Sequence, residues 1–212
     1  YQKVGWDLRN SESEKGIFPT FFDLLDILPG VIEESHYSKD TQSDYVGALC
    51  TRVKSLTNGI YGSVLCAEDA LIDEALFDCN VIVDLSRVGS METKSLLMGI
   101  LVMKLQEYRM CSSGMNSRLR HVTVLEEAHN LLRKTSAEQS QEGANLQGKS
   151  VEMLANAIAE MRTYGEGFII ADQAPGLLDM SVIRNTNTKI ILRLPDEEDR
   201  KLVGKSAALK EA

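Results

Sequence analysis

Two carboxylates stand side by side at the end of an apolar run: Glu126 and Glu127 follow Val122-Thr123-Val124-Leu125 and precede Ala128-His129. At the tip of a buried strand, the first carboxylate can hold Mg²⁺, usually through water, and the second can orient and deprotonate an attacking water. Adjacent carboxylates repel each other, so such a pair needs a cation or strong hydrogen bonds nearby. The competing reading is a solvated acidic strand end whose charge suits the dipole of the next helix. A second polar tip, Asp172-Gln173-Ala174-Pro175, ends the following apolar run. Gln173 could hydrogen-bond a terminal phosphate or the attacking water, or simply open a loop set up by Pro175-Gly176.

The run that ends at Glu126-Glu127 has the physical form of a Walker B element. Arg162 stands where an amphipathic stripe would otherwise carry an apolar group, so its guanidinium either snorkels or reaches a partner. The alternative is a cation that complements the end of its helix before Gly165. Gly143-Ala144-Asn145-Leu146-Gln147-Gly148-Lys149-Ser150 fits every fixed position of G-x-x-x-x-G-K-[ST], which would make Lys149 a phosphate-binding lysine. That mechanism requires a buried strand feeding the loop, and Lys134 to Glu142 is polar throughout. A loop leading into a helix capped by Ser150 is the better expectation. His129 has no metal-ligand spacing to its neighbours, and His36 and His121 are isolated. There is no nucleophile elbow, and aromatics are not interleaved with basic residues.

Positioning these groups requires a sheet. Val81 to Leu85, His121 to Leu125, Gly167 to Ala171 and Lys189 to Leu194 are short apolar runs of the kind that form buried parallel strands. Met91 to Tyr108 is apolar on almost every side and reads as a buried crossover helix. Val151, Leu154, Ala155, Ile158 and Ala159 recur at the spacing of an amphipathic one. Alternating strands and helices predict a parallel α/β sheet, whose ligands bind beyond the strand carboxyl ends. Upstream, Phe21 to Leu28 and Tyr45 to Leu56 read as helices, the first closed by Pro29-Gly30, and Asn58 to Gly62 reads as a turn. Arg133 to Gln147 reads as a long exposed loop. Residues 1–70 form a mostly helical segment and 71–212 the α/β core.

The whole chain has 212 residues, 43% hydrophobic and 25% charged, with formal net charge −8. This is a globular profile with room for a sizeable core. The acidic balance argues against a surface that wraps nucleic acid throughout, while permitting a local basic pore. Four separated cysteines without a C-x-x-C pair fit reduced thiols and a cytoplasmic setting. No apolar run reaches 18 residues, and the first residues do not read as a signal peptide.

Leu76 to Ser86, Val122 to Leu132, Met161 to Pro175 and Asn187 to Leu194 together resemble the C-terminal part of a HerA/FtsK-type ATPase domain. The resemblance spans roughly residues 70 to 204. Its most specific parts are the Walker B run and the pattern RxxGxGxxxAxQxP, carried by Arg162, Gly165, Gly167, Ala171, Gln173 and Pro175. Phe18 to Gly62 resembles, less specifically, the helical insertion of that family. The resemblance implies a RecA-like P-loop core, ATP and Mg²⁺ as cofactors, hexameric rings and DNA as partner. It assigns Glu126 to the magnesium and Glu127 to the catalytic base. Gln173 becomes the sensor, and Arg162 an arginine offered to a neighbouring subunit's ATP.

Three departures accompany it. Glu126 stands where the family usually has Asp, and Asp172-Gln173-Ala174 where it usually has Thr-Gln-Arg. No strand-borne P-loop precedes Tyr1-Gln2-Lys3, so the expectation is a piece cut between P-loop and core that binds ATP weakly and hydrolyses little. Two other readings stand beside it. One is a superfamily 2 helicase, whose DExH box Glu126 to His129 also resembles, although the expected Ser-Ala-Thr element is missing. The other is an interaction or regulatory module that keeps the fold without catalysis.

Overall fold

The computed structural model describes residues 2–7, 9, 12–13, 19–67, 71–134 and 146–208. The chain divides into two compact units, Tyr1–Leu71 and Ile72–Ala212.

In the first unit, a short antiparallel pair, β1 (Trp6–Asp7) and β2 (Glu12–Ser13), precedes three helices: α1 (Phe21–Glu33), α2 (Lys39–Thr57) and α3 (Gly59–Leu65). Thr20 starts α1 through a capping box, its hydroxyl accepting from Phe22 N–H while Asp23 accepts from the Thr20 backbone. The expectation that Pro29-Gly30 closes this helix is corrected, since α1 runs through Pro29 to Glu33. Proline removes one intrahelical donor, and the bond from Glu34 N–H to the Gly30 carbonyl resumes the ladder beyond it. The Gln42 side-chain amide then donates to the Glu33 and Ser35 carbonyls, satisfying acceptors at the end of α1. The expected turn after Asn58 is a single-residue break, with α3 following at once. Gly62 fits there because a Cβ would lie 2.0 Å from the Thr57 carbonyl oxygen.

The second unit is mixed α/β. It contains α4 (Asp73–Phe77), α5 (Met91–Ser112), β3 (His121–Glu126), α6 (Leu146–Met161), β4 (Glu166–Ala171), α7 (Met180–Asn185) and α8 (Glu197–Ser206). β3 and β4 run parallel, in register from His121 opposite Glu166 to Glu126 opposite Ala171. Helix α5 buries Met98, Val102, Leu105 and Arg109 at alternating four- and three-residue steps, so it has one buried stripe and is not apolar all round. Helix α6 buries Val151, Leu154, Ala155, Ala157 and Met161, joining Leu125 and Leu132 in the core.

The expected mostly parallel sheet is narrower than the sequence suggests. Among the described residues only β3 and β4 pair in this unit, and neither 81–85 nor 189–194 belongs to a helix or ladder. Ile82, Ile190 and Leu192 are 94%, 88% and 82% exposed. β-branched composition favours a pleated, half-buried strand, but a ladder also needs a neighbouring backbone to supply its hydrogen bonds. Val124 and Ile169, adjacent on one face of the β3–β4 pair, are likewise exposed. A second correction concerns Ser150: α6 begins at Leu146, so Ser150 lies inside the helix and does not cap it. Residues 135–145 of the expected long loop, and Gly143 of the G-x-x-x-x-G-K-[ST] run, lie outside the described residues. No described helix is long and apolar enough to cross a membrane.

The amino end of the strand pair is tied to α5 by a buried polar network. The Glu166 carboxylate, with no side-chain exposure, accepts from Arg109 Nε at 2.8 Å and Thr123 Oγ1 at 2.7 Å, and lies 2.9 Å from His121 Nδ1. Arg109 also donates to Asp78 Oδ1 and to the Phe77 carbonyl. Burial works against the Arg109 charge, yet its bonds to Asp78 and Glu166 outweigh that and raise its pKa. The Tyr108 hydroxyl and then Arg109 hold the Asp78 carboxyl below its ordinary range.

The unit yields three expectations. Replacing Arg109 by Met strands the Glu166 charge and should destabilise the unit by about 3 kcal/mol, whereas adding Glu166→Gln should restore much of it. Urea midpoints followed on β3 and β4 amide signals measure both, and equal loss in single and double variants would contradict the pairing. Because the folded pKa of Asp78 is depressed, its stabilisation is complete above about pH 4, the unfolded aspartate value, and is lost as pH falls through the lower folded one. Asp78→Asn should therefore flatten the fall of stability below pH 4, and an unchanged slope would contradict this. Gly165 has φ +84°, and a Cβ there would sit 2.5 Å from the Arg118 carbonyl oxygen. Gly165→Ala should cost on the order of 2 kcal/mol, the usual left-handed penalty plus the clash, read as a lowered urea midpoint at unchanged slope.

Candidate functional site

Register fixes what can meet at the carboxyl end of the strands. With Glu126 opposite Ala171 at the end of the ladder, Glu127 and Asp172 are the next residues of two chains about 5 Å apart, and Gln173 follows Asp172. The two polar tips read from the sequence therefore share one rim. Glu126 is the last residue of β3 itself, on the face of Val122 and Val124, while Leu125 points into the core. Glu126, Glu127 and Gln173 are all exposed.

Glu127 makes the turn. Its backbone is left-handed, φ 50° and ψ 45°, and it leads into a 3₁₀ turn over Ala128–Asn130. A non-glycine residue there costs roughly 1 kcal/mol, which neighbouring contacts must offset. They come from Asp172, whose carboxylate is 3% exposed. Its Oδ2 accepts from the His129 backbone N–H at 2.8 Å and lies 2.9 Å from His129 Nδ1, and its Oδ1 accepts from Ala174 N–H at 2.9 Å. His129 Nε2 faces Glu127 Oε2 at 3.8 Å. Further along, the same two loops join through Lys134 N–H to the Leu177 carbonyl, Asp179 N–H to the Leu132 carbonyl and the Arg133–Leu178 bridge. Asp199 at the start of α8 accepts from Gly176 N–H, steadying the second loop.

Arg162 is elsewhere. Because β3 and β4 are parallel, the chain must return to the starting edge between them, and α6 makes that return. Arg162 opens the 3₁₀ turn after α6, and β4 begins at Glu166. It lies at the amino end of β4, a strand of six residues and so about 20 Å from the rim that holds Glu127. Its neighbours there include Ser117 to Arg120, through bonds from Ser117 N–H to the Thr163 carbonyl and from Arg120 N–H to the Gly165 carbonyl. Lys149 lines an open groove of about 490 Å³ between α5 and α6, with Met103, Gln106, Glu152 and Glu160. Two carboxylates beside it make poor surroundings for a phosphate.

The donor chemistry fits one cofactor class. No three described His, Cys, Asp or Glu side chains form a metal cage. Glu126 and Glu127 are hard oxygen donors open to solvent, which suits a cation that keeps most of its own water and shares phosphate oxygens, as Mg²⁺ does. From the sequence, His129 lacks metal-ligand spacing, and Asp172 stands out as part of a polar strand tip and as a departure from the family pattern, with no role for either side chain. Their pairing spans 43 residues of chain and depends on strand register, so no local spacing announces it.

Comparison with protein-family models, with curated proteins and with solved structures finds no match to this chain.

Proposed function

We propose that Ile72–Ala212 is the Walker B and sensor half of an ATP-hydrolysing P-loop domain with a RecA-like core, of the HerA/FtsK ring-motor type. The observation that carries this reading is the β3–β4 register, with the acidic tip at Glu126-Glu127 and the Gln173 loop on one rim. In this reading Glu126 holds Mg²⁺ through water and Glu127 accepts a proton from the attacking water. Gln173 contacts the terminal phosphate or that water. Mg²⁺, when bound with ATP, offsets the negative charge on the phosphates. In this reading the phosphate cradle and its lysine are supplied from elsewhere than the Lys149 groove, where Glu152 and Glu160 stand. The exposed apolar surface of Ile82, Val124, Ile169, Ile190 and Leu192 is compatible with a sheet that further chain completes.

Arg162, at the opposite end of β4, does not serve the same nucleotide as Glu127. Its position agrees with the family's arrangement, in which one subunit's arginine reaches its neighbour's ATP and hexamers translocate DNA. A second reading, a non-catalytic interaction module, is favoured by one observation: Glu152 and Glu160 line the same groove as Lys149, poor company for a phosphate.

Glu127→Gln separates the two readings in a longer chain or complex that supplies the cradle. ATP binding should persist while turnover falls by about 100-fold or more. Unchanged turnover removes Glu127 as the base, and no turnover in the parent protein favours the module.

A further inference from the structure

We infer that Asp172 is a positioning residue for this centre, which fixes His129 in the tautomer that leaves Glu127 free to act as a base. The catalytic part of the inference rests on the ATPase reading above; the tautomer part stands without it.

An aspartate after a strand commonly folds back on its own loop, as Asp172 Oδ1 does with Ala174 N–H. That local turn does not account for the second oxygen. Oδ2 takes both the backbone and the ring nitrogen of His129, from a loop 43 residues away, and the carboxylate is almost wholly buried. An ionised carboxylate can only accept, so the ring nitrogen 2.9 Å from it, Nδ1, carries the proton. In the neutral ring, Nε2 then has a lone pair and no proton. It is Nε2 that faces Glu127 Oε2 at 3.8 Å. Two acceptors do not bond, so Glu127 keeps its lone pairs for water. In the other tautomer, Nε2–H would point at Glu127 and a small side-chain movement would capture it. The left-handed backbone of Glu127 aims the carboxylate, and the bonds of Asp172 to the following loop hold that turn in place. One side chain thus sets both the Glu127 turn and, through Ala174, the loop that carries Gln173.

Asp172→Asn tests this because an amide can donate where the carboxylate could only accept. Its NH₂ group can bond to an unprotonated Nδ1 and so favours the Nε2–H tautomer. Long-range ¹H–¹⁵N correlation spectra of the 212-residue chain, recorded where the ring is neutral, report the tautomer directly. The native protein should show Nδ1–H, and Asp172→Asn should shift the ring toward Nε2–H. Native His129 in the Nε2–H form, or no change on substitution, overturns the inference; the native measurement does so even if the variant does not fold.

In the cradle-bearing protein, Asp172→Asn should lower kcat about 10-fold or more with a smaller change in KM. Adding His129→Asn, which removes the diverting imidazole, should recover part of that loss. A double variant as slow as the single one, or slower, overturns the catalytic role of the tautomer. If Glu127→Gln leaves turnover unchanged, the catalytic part falls with the assignment of Glu127 as base, and if the parent protein shows no turnover the ATPase reading falls; in both cases the tautomer result keeps its own standing.

Discussion

The arrangement of the second unit depends on the register of one parallel strand pair. Side chains alternate across a strand, so a slip of one residue would carry Leu125 out of the core and turn Glu126 inward. Two buried carboxylates hold the pairing at its ends. At the amino end, Glu166 bridges His121 and Thr123, two residues apart on the same face of β3, and anchors both strands to Arg109 of α5. At the carboxyl end, Asp172 takes the loop that leaves β3 and the loop that leaves β4. Each carboxylate accepts several hydrogen bonds across the pair and so orders the backbone around it.

This division separates two chemistries by the length of a strand. The carboxyl rim collects Glu126, Glu127, His129, Asp172 and Gln173, polar groups able to order water. The amino rim gathers the exposed arginines Arg118, Arg120 and Arg162 around the turn at Gly165. Groups about 20 Å apart cannot act on one small molecule, so in the ATPase reading Arg162 serves a different subunit. The core between them comes from α5 and α6, whose buried stripes meet Leu125, Leu132 and Leu178.

Much of this was legible in the sequence because it is local. The apolar runs before Glu126 and before Asp172 are strands, and the Val151–Leu154–Ala155 spacing marks the buried face of α6. Gly165 ends the turn after α6 as a residue with positive φ would. What was not legible depends on partners distant in the chain. Val81 to Leu85 and Lys189 to Leu194 have strand composition, but a ladder needs a backbone alongside. Pro29 looked like a stop, yet a helix that loses one donor can continue when the next turn bonds normally. Its start at Thr20, which caps it, is local and visible in the sequence. The left-handed turn at Glu127 and the His129–Asp172 contact are consequences of register, so the roles of His129 and Asp172 appear only once β3 and β4 are aligned.

The most direct measurement is the pairing itself. Interstrand nuclear Overhauser contacts in the isotopically labelled 212-residue chain report which residues face each other along β3 and β4. Contacts linking Val124 with Ile169 and Glu126 with Ala171 are the expected result, with Glu127 and Asp172 following at the same end. Contacts offset by one residue, or linking β3 to some other segment in place of β4, would part the acidic tip from Gln173 and contradict the account.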